Sequence, residues 1–378
     1  MNLVLSDQQA RLKFAPLSLT RPIGALRCGL FTNAERWQKW LPAAQISYDT
    51  EAYLQTKFPK GNGIEVNARL IPNEEVAVAI QALPANTSLF LEDLWLATNG
   101  AALSKISFTG ERPIILNERW DLFQLNDAIL KADFILATQQ KVSLPLPESN
   151  LLIGPEDQLF IEEGAQIEGA ILNTKEGPIY IGKNAEIMEG ALLRGPIAIL
   201  EGAVVKMGAK IYGATTIGPE CRVGGEVSNC VLAGYSNKGH DGFIGNALLG
   251  EWCNLGADTN SSNLKNNYGL VNTYSYESNG QVKTPLQFMG VCMGDHSKTA
   301  INVQFNTATV VGVSANIFCS SFPEKHIPSF SWVSDQNTEK FELSKAIEAA
   351  KAMMARRKIP FTEGDQLIFE TLFKQAHS

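Results

Sequence analysis

The stretch IGKNAEIMEGALLRGPIAILEGAVVKMGAKIYGATTIGPECRV, residues 181–223, decides the fold. Ile181, Ile187, Leu193, Ile199, Val205, Ile211, Ile217 and Val223 recur at every sixth residue without a miss. Small side chains (Ala185, Ala191, Ala203, Ala209, Thr215, Cys221) stand two residues before most of them, and Gly190, Gly202 and Gly208 precede three of these. An α-helix returns to the same face after about 3.6 residues and a strand after 2, so a period of six fits neither alone. It suits a triangular solenoid in which each hexad makes one flat side and one corner. The aliphatic residue then points to the axis, and glycine and small residues permit the tight corner.

Working outward, the same register resumes at Phe243, Leu249 and Leu255, then at Met293, Thr299, Phe305, Val311 and Ile317, all of which it directs inward. Two interruptions, GYSNKGHDG at 234–242 and a polar excursion over 258–286, are expected to leave the solenoid as loops, where sites collect. Glycine marks the limits: of 31, 6 lie in residues 1–150 and 24 in 151–320, so three architectures follow one another. The expected units are 1–145, 146–333 and 334–378. Residues 1–145 mix strand-like runs (NLVLS, SLFLEDLWL, ADFILAT) with helix-like ones (TNAERWQKWLP, EEVAVAIQAL), which predicts an α/β layer unit. After 334, Thr338 is placed to cap one helix, Pro360 ends it, and Thr362 with Asp365 opens a second.

Composition narrows the function. A net charge of −7 argues against a nucleic-acid binder, which must neutralise many phosphates. No apolar run reaches the ~18 residues of a membrane span, and a cytoplasmic protein is expected. The six cysteines form no CxxC pair and read as buried thiols rather than a disulfide or zinc framework. Only His240, His296, His326 and His377 could serve histidine chemistry.

The segment KFAPLSLTRPIGALRCG, with Pro16, Leu17, Ser18, Thr20, Arg21 and Pro22, resembles the opening loop of the sugar nucleotidyltransferases. That resemblance implies a nucleotide site at Lys13 and Arg21, with UTP or dTTP as partner, and a magnesium-binding carboxylate at Asp93 if the unit is active. The departures are SDQQA in place of the glycine loop and Ile23 in place of the second lysine, which removes a charge from the transferring phosphates. Residues 118–126, ERWDLFQLN, are similar to a segment of the archaeal and Bacteroidetes-type branch.

Residues 226–265, EVSNCVLAGYSNKGHDGFIGNALLGEWCNLGADTNSSNLK, resemble the acetyltransferase half of the bifunctional glucosamine-1-phosphate N-acetyltransferase/UDP-N-acetylglucosamine pyrophosphorylase family. His240, Gly245, Gly250, Asn254, Gly256, Ala257, Thr259 and Asn263 fall at the motif's spacings without gaps. The resemblance implies a left-handed parallel β-helix of the hexapeptide-repeat kind, a homotrimer, and acetyl transfer from acetyl-CoA to a sugar phosphate bearing an amine. His240 would be the general base and Glu226 its orienting carboxylate. Lys238, Phe243, Asn254, Asn263 and Lys265 would meet the acceptor, and Asp295, Lys298 and Ala300 the acetyl-CoA. Transfer needs an uncharged amine, and a neutral imidazole can take its proton during attack. Ser228 stands where the family has a phosphate-contacting lysine, and Phe243 replaces its tyrosine; both weaken glucosamine-1-phosphate as acceptor. Two other readings stay open: nucleotidyl transfer as the main activity, and a trimeric scaffold without catalysis.

Overall fold

The computed structural model describes residues 1–377. From Leu151 onward the chain winds into a parallel solenoid with three flat faces. One face has nine strands and a second has eight; the third is built from a five-stranded stack and a four-stranded one. The period-six aliphatics are its core: Ile181, Ile199, Val205, Ile217 and Val223 are fully buried, and Ile187, Leu193 and Ile211 nearly so. Each coil stacks on the last in register, Ile181 on Ile199 and Ile199 on Ile217, so every β-branched residue meets its like in the next coil and fills the axis with few voids. Together with the family resemblance this is a left-handed β-helix of the hexapeptide type.

Corners need a residue in the left-handed region. One row of corners carries Asn184, Glu220, Tyr235, Trp252, His296, Ser314 and Phe330, all with φ between 54° and 62°. Bulky side chains rarely adopt this backbone. Here Tyr235 stacks on Trp252 at 4.2 Å, and Trp252 faces His296 at 6.1 Å.

The register slips in the middle. Early coils advance 18 residues (Ile199 to Ile217), but Ile217 pairs with Leu232 and Val223 with Lys238. GYSNKGHDG is therefore a shortened coil with its own strand, Asn237–Lys238, rather than an excursion. On the eight-stranded face Val227 pairs with Ile244, which is buried, while Phe243 turns outward, against the expectation from the hexad. A one-residue slip reverses the face a side chain occupies. The 258–286 excursion does leave the solenoid and carries an antiparallel hairpin, Asn272–Ser275 with Gly280–Lys283.

The N-terminal unit is a six-stranded sheet whose first three members, Gln45–Asp49, Asn2–Ser6 and Ile64–Asn67, are parallel. Helices α1 (Asn33–Trp40), α2 (Glu74–Gln81), α3 (Asp121–Gln124) and α4 (Asn126–Thr138) accompany it. ADFILAT lies within α4, not in a strand: its Phe134 and Ala137 pack on the solenoid beside Phe160, Tyr180 and Ala198, and this tertiary burial overrides the β-branched, aromatic composition. SLFLEDLWL is a hairpin, Thr87–Leu91 with Leu94–Asn99, turning at Glu92 (φ 54°). The core of this unit is continuous with the outer side of the nine-stranded face, through Val231, Leu248 and Cys292.

At the C-terminus Thr338 does not cap a helix; it sits in strand Thr338–Lys340, paired with Ser331–Ser334. Helix α5 (Leu343–Ala355) starts after it, and α6 (Glu363–Ala376) opens with the expected Thr362/Asp365 capping box. Both helices pack across the solenoid and the N-terminal unit in one cluster with Leu19, Leu54, Val313 and Phe330. Among the described residues no helix is long and apolar enough to cross a membrane, and all six cysteines are buried and free.

Candidate active site

His240 stands on the corner that joins the third face, at Asn237–Lys238, to the eight-stranded face, at Phe243–Gly245. Its ring is exposed and has no hydrogen-bond partner among the described residues. Successive corners touch here: a Cβ on Gly225 (φ 67°) would lie 2.7 Å from the Gly242 carbonyl oxygen and 2.9 Å from that of His240. Glycine at 225 is therefore required for the His240 loop to lie down on the preceding coil. Glu226 does not orient the imidazole by a hydrogen bond. Its carboxylate instead accepts from Tyr212 Oη at 2.7 Å and faces Lys210 Nζ at 4.0 Å.

Lys238 lies where an acceptor-binding residue does not. It occupies the inward position above Val223, is 2% exposed, and donates from Nζ to the His240 carbonyl at 2.7 Å. Burial pushes its ammonium down to about 8, against the partial support of Asp241, Cys230 and Asp258. It holds the corner from within.

Two open clefts lie on the two faces that meet at this corner, and His240 lines neither of them. The first, about 620 Å³, lies on the eight-stranded face. Tyr212, Ser228 and Phe243, from successive strands, form its floor, and Asn229, Asn246 and Asn263 its edge. Residues 285–288 of the excursion close one wall, and Gln124 of α3 closes another. The second cleft, about 750 Å³, lies between the third face and α5. It combines Arg222, Lys298, Arg356 and Arg357 with the stacked Tyr235 and Trp252 and with Asn237 and Asn254. Arg357 pairs with Glu220 at 3.1 Å, and Lys298 donates to the His296 carbonyl at 3.0 Å, its charge disfavoured by burial. Arg222 and Arg356 have no partner among the described residues.

The expected acceptor residues are thus divided. Phe243 and Asn263 line the first cleft, Asn254 the second beside Lys298, and Lys265 neither: its ammonium is tied to the Leu270 carbonyl at 2.6 Å within the excursion. Ala300 follows Lys298 in the same coil and packs against the solenoid core. Asp295 is 3% exposed and bound by Arg21 and, at 2.7 Å, by Thr20 Oγ1.

Arg21 is the expected nucleotide ligand, yet its guanidinium is buried between Asp295 and Glu251, which neutralise it. The two carboxylates hold its proton far above the ordinary range. Asp7, at the end of the first strand, accepts from the Ile23 amide at 2.8 Å and Thr50 Oγ1 at 2.6 Å, and burial raises it to about 6. Arg11 fills the same loop by donating to the Ser18 carbonyl and Tyr53 Oη. Lys13 sits on a half-exposed turn and Asp93 is exposed at a hairpin tip. No ion pair or hydrogen bond joins Lys13, Arg21 and Asp93, and no three-residue His/Cys/Asp/Glu cluster suited to a metal occurs among the described residues.

The cleft residues that sequence reading missed are Gln124, Tyr212, Asn246 and Phe288 in the first and Arg222, Tyr235, Trp252, Arg356 and Arg357 in the second. The signal available for Tyr235 and Trp252 is that they are aromatic residues 17 apart on one row of left-handed corners.

Comparison with known proteins agrees with this layout. Residues 3–142 match the family model described as sugar nucleotidyl transferase. The chain is similar to the GlmU-like hexapeptide acyltransferases. It is 22% identical over 231 residues to the bifunctional protein GlmU of Synechococcus elongatus, covering 55% of this chain and 46% of that one. It is 24% identical over 200 residues to the putative uncharacterized acetyltransferase YaiX of Escherichia coli, covering 50% of this chain and 76% of that one. Among solved structures, the polysialic-acid-specific acetyltransferase NeuO matches 55% of this chain and 94% of its own at 10% identity, with a TM-score of 0.30. The chain spans about half the length of the GlmU relative it matches.

Proposed function

We propose that the protein transfers an acyl group from acyl-CoA to the amine of an amino sugar, with His240 as general base. One observation carries the reading: His240, in the motif-matching loop, has an exposed, unpartnered imidazole on the corner that joins the two faces on which an amide-lined and a cationic cleft open, although it lines neither cleft. The cationic cleft suits the thioester substrate. Arg222, Arg356, Arg357 and Lys298 match several phosphates, and the Tyr235–Trp252 stack offers a planar platform for an adenine. The amide-lined cleft suits the sugar.

In this mechanism the amine attacks the thioester carbonyl, forming the C–N bond as the C–S bond breaks. The amine proton passes to His240 Nε2 or Nδ1, and the thiolate leaves as CoA after taking a proton. The name of the YaiX relative, an acetyltransferase, supports acetyl as the group transferred. A trimer is supported by an exposed ladder on the eight-stranded face, Leu151 on Ile171 on Leu192, which a second copy would cover. Nucleotidyl transfer is supported by the family match over residues 3–142, but the expected nucleotide ligand Arg21 is held by Glu251 and Asp295, which favours the transferase reading of the solenoid.

The test is thiol release from acetyl-CoA with a panel of amino sugars. His240→Ala should lower kcat by roughly 10²–10⁴-fold with unchanged CoA affinity and Tm. Near-full activity of that variant, or no transfer by the wild type to any amino sugar, overturns the proposal.

A further inference from the structure

The first cleft has a chemical character of its own. Every residue lining it is uncharged. Its polar groups are the amides of Gln124, Asn229, Asn246, Asn263 and Gln287 and the hydroxyls of Tyr212 and Ser228. Some are committed within the protein: Asn229 Oδ1 accepts from the Ala214 amide at 3.1 Å, Tyr212 Oη donates to Glu226, and Gln287 Nε2 donates to the Tyr268 carbonyl at 2.6 Å. Others are not. Asn263 Nδ2 donates to Asn246 Oδ1 at 2.8 Å, which leaves Asn263 Oδ1 and Asn246 Nδ2 free, and the whole Gln124 amide is unpartnered.

Apolar groups complete the surface. The Phe243 ring lies over Gly245, where a Cβ would come within 2.6 Å of Phe243 Cζ and 2.7 Å of Asn263 Nδ2, so only glycine lets ring and amide share that floor. Phe288 is 43% exposed on the opposite wall. The cations nearby are turned elsewhere: Lys265 to the Leu270 carbonyl, and Lys210 outward past Tyr212 toward Glu226. Free amides beside aromatic faces match the hydroxyls and C–H faces of a sugar ring; a phosphate monoester needs charged donors, which are absent from the lining.

Gln124 comes from the N-terminal unit. Its neighbours are anchored on both sides: Leu122 and Phe123 are buried, and Asn126 accepts from the Gly29 amide at 2.7 Å and donates to the Ala214 carbonyl at 2.9 Å. The nucleotidyltransferase-like unit thus presents an amide, carried on an anchored backbone, to a cleft otherwise built from the solenoid and its excursion.

We propose that this cleft receives the ring of an amino sugar through uncharged amides and aromatic faces, with Gln124 as a specificity residue supplied by the N-terminal unit, and that a phosphate on the same sugar stays in solvent. The proposal deepens the transferase reading by naming the acceptor class, and it rests on that reading only for calling the sugar an acceptor. The experiment measures binding to the full chain without acyl-CoA, by saturation-transfer NMR and calorimetry. The probes are glucosamine, N-acetylglucosamine and glucosamine 1-phosphate, at low and high salt.

The expected result is similar affinity for the free and phosphorylated sugars with little salt dependence. Gln124→Ala and Phe288→Ala should each weaken binding by a factor of about 5, as loss of one contact does, with unchanged Tm. A preference of about tenfold or more for the phosphate ester, fading with salt, overturns the proposal, since that is what a charged anchor contributes. Absence of binding by all three probes, or Gln124→Ala binding like the wild type, also overturns it. Sugar binding of the expected kind without acetyl transfer would instead remove the transferase reading and leave this one standing.

Discussion

Lys238 gives the sharpest test of the solenoid interior. It takes the inward position that Val223 holds one coil earlier, and its single hydrogen bond is to the His240 carbonyl. Burial lowers its ammonium from 10.5 to about 8. At about 1.4 kcal/mol per pH unit, that difference makes the charged form cost roughly 3 kcal/mol in the folded protein. The direction follows from proton counting. Between about pH 8 and 10.5 the unfolded chain binds a proton that the folded chain has released, so stability rises with pH across this window. Below pH 8 the full penalty is present.

Lys238→Met removes the penalty and leaves the His240 carbonyl without its donor, a loss of about 1–3 kcal/mol. At pH 7 the variant should therefore equal or exceed the wild type by up to about 2 kcal/mol. Near pH 10.5 the order reverses, because the wild-type amine is neutral and still donates. Urea unfolding of both proteins from pH 7 to 10.5 reads the difference, in which all other titrating groups cancel. If the two stabilities run parallel within about 1 kcal/mol across the window, the amine is solvated and the reasoning about a dry axis is wrong.

Arg21→Met should destabilise the protein by about 3 kcal/mol, since it leaves Asp295 buried, and Glu251 half-buried, without their counter-charge; adding Asp295→Asn should restore part of that, and an unchanged Tm for Arg21→Met would refute the ion triad. His296 is 6% exposed between Trp252 and Phe369, its Nδ1 unpartnered, and burial holds it at about 3. The unfolded chain gains its proton first on acidification, so below pH 6.5 this residue should remove about 1.4 kcal/mol of stability per pH unit down to about pH 3. His296→Phe should flatten that slope relative to wild type in acid unfolding curves; a slope unchanged by the substitution would assign the acid sensitivity elsewhere.

The solenoid was legible because its restraint is periodic: one inward aliphatic per hexad, with left-handed corners between, leaves a pattern that eight successive hexads from Ile181 to Val223 repeat. The pattern failed where coil length changed. Nothing local to Phe243 says that it faces outward; the reversal comes from pairing Val227 with Ile244 after a shortened coil. ADFILAT and Thr338 failed for a related reason, since packing on Phe160 and Tyr180 and pairing with Val333 decide their states. Among site residues, spacing led to His240, which lies on an exposed corner, and to Asn263, which lines a cleft, but could not separate a lysine that binds a ligand from Lys238, which binds its own backbone. Arg21 and Asp295 mark the same limit: a charge suited to phosphate is equally suited to a buried carboxylate, and only the fold decides which it meets.

That last substitution of partners bears on why the N-terminal unit is held where it is. Apolar burial through Val231, Leu248 and Cys292 supplies attraction between unit and solenoid but little direction. Direction comes from contacts with fixed geometry: Arg21 with Glu251 and Asp295, Arg119 with Thr273 Oγ1 at 2.8 Å, and Asn126 with the Ala214 carbonyl. Ionic contacts of this kind contribute modest net stability after desolvation, so their effect lies in register. Arg21 ties the N-terminal loop to the coils of Glu251 and Asp295, Arg119 ties the residues before α3 to the excursion hairpin, and Asn126 ties the start of α4 to the coil of Ala214. The Arg119 and Asn126 ties bracket Gln124 in the chain and so set where it meets the cleft of Ser228 and Phe243. A nucleotide entering between Arg21 and its carboxylates would have to break the remaining tie, so Arg21 cannot serve a triphosphate and also hold its loop to the solenoid.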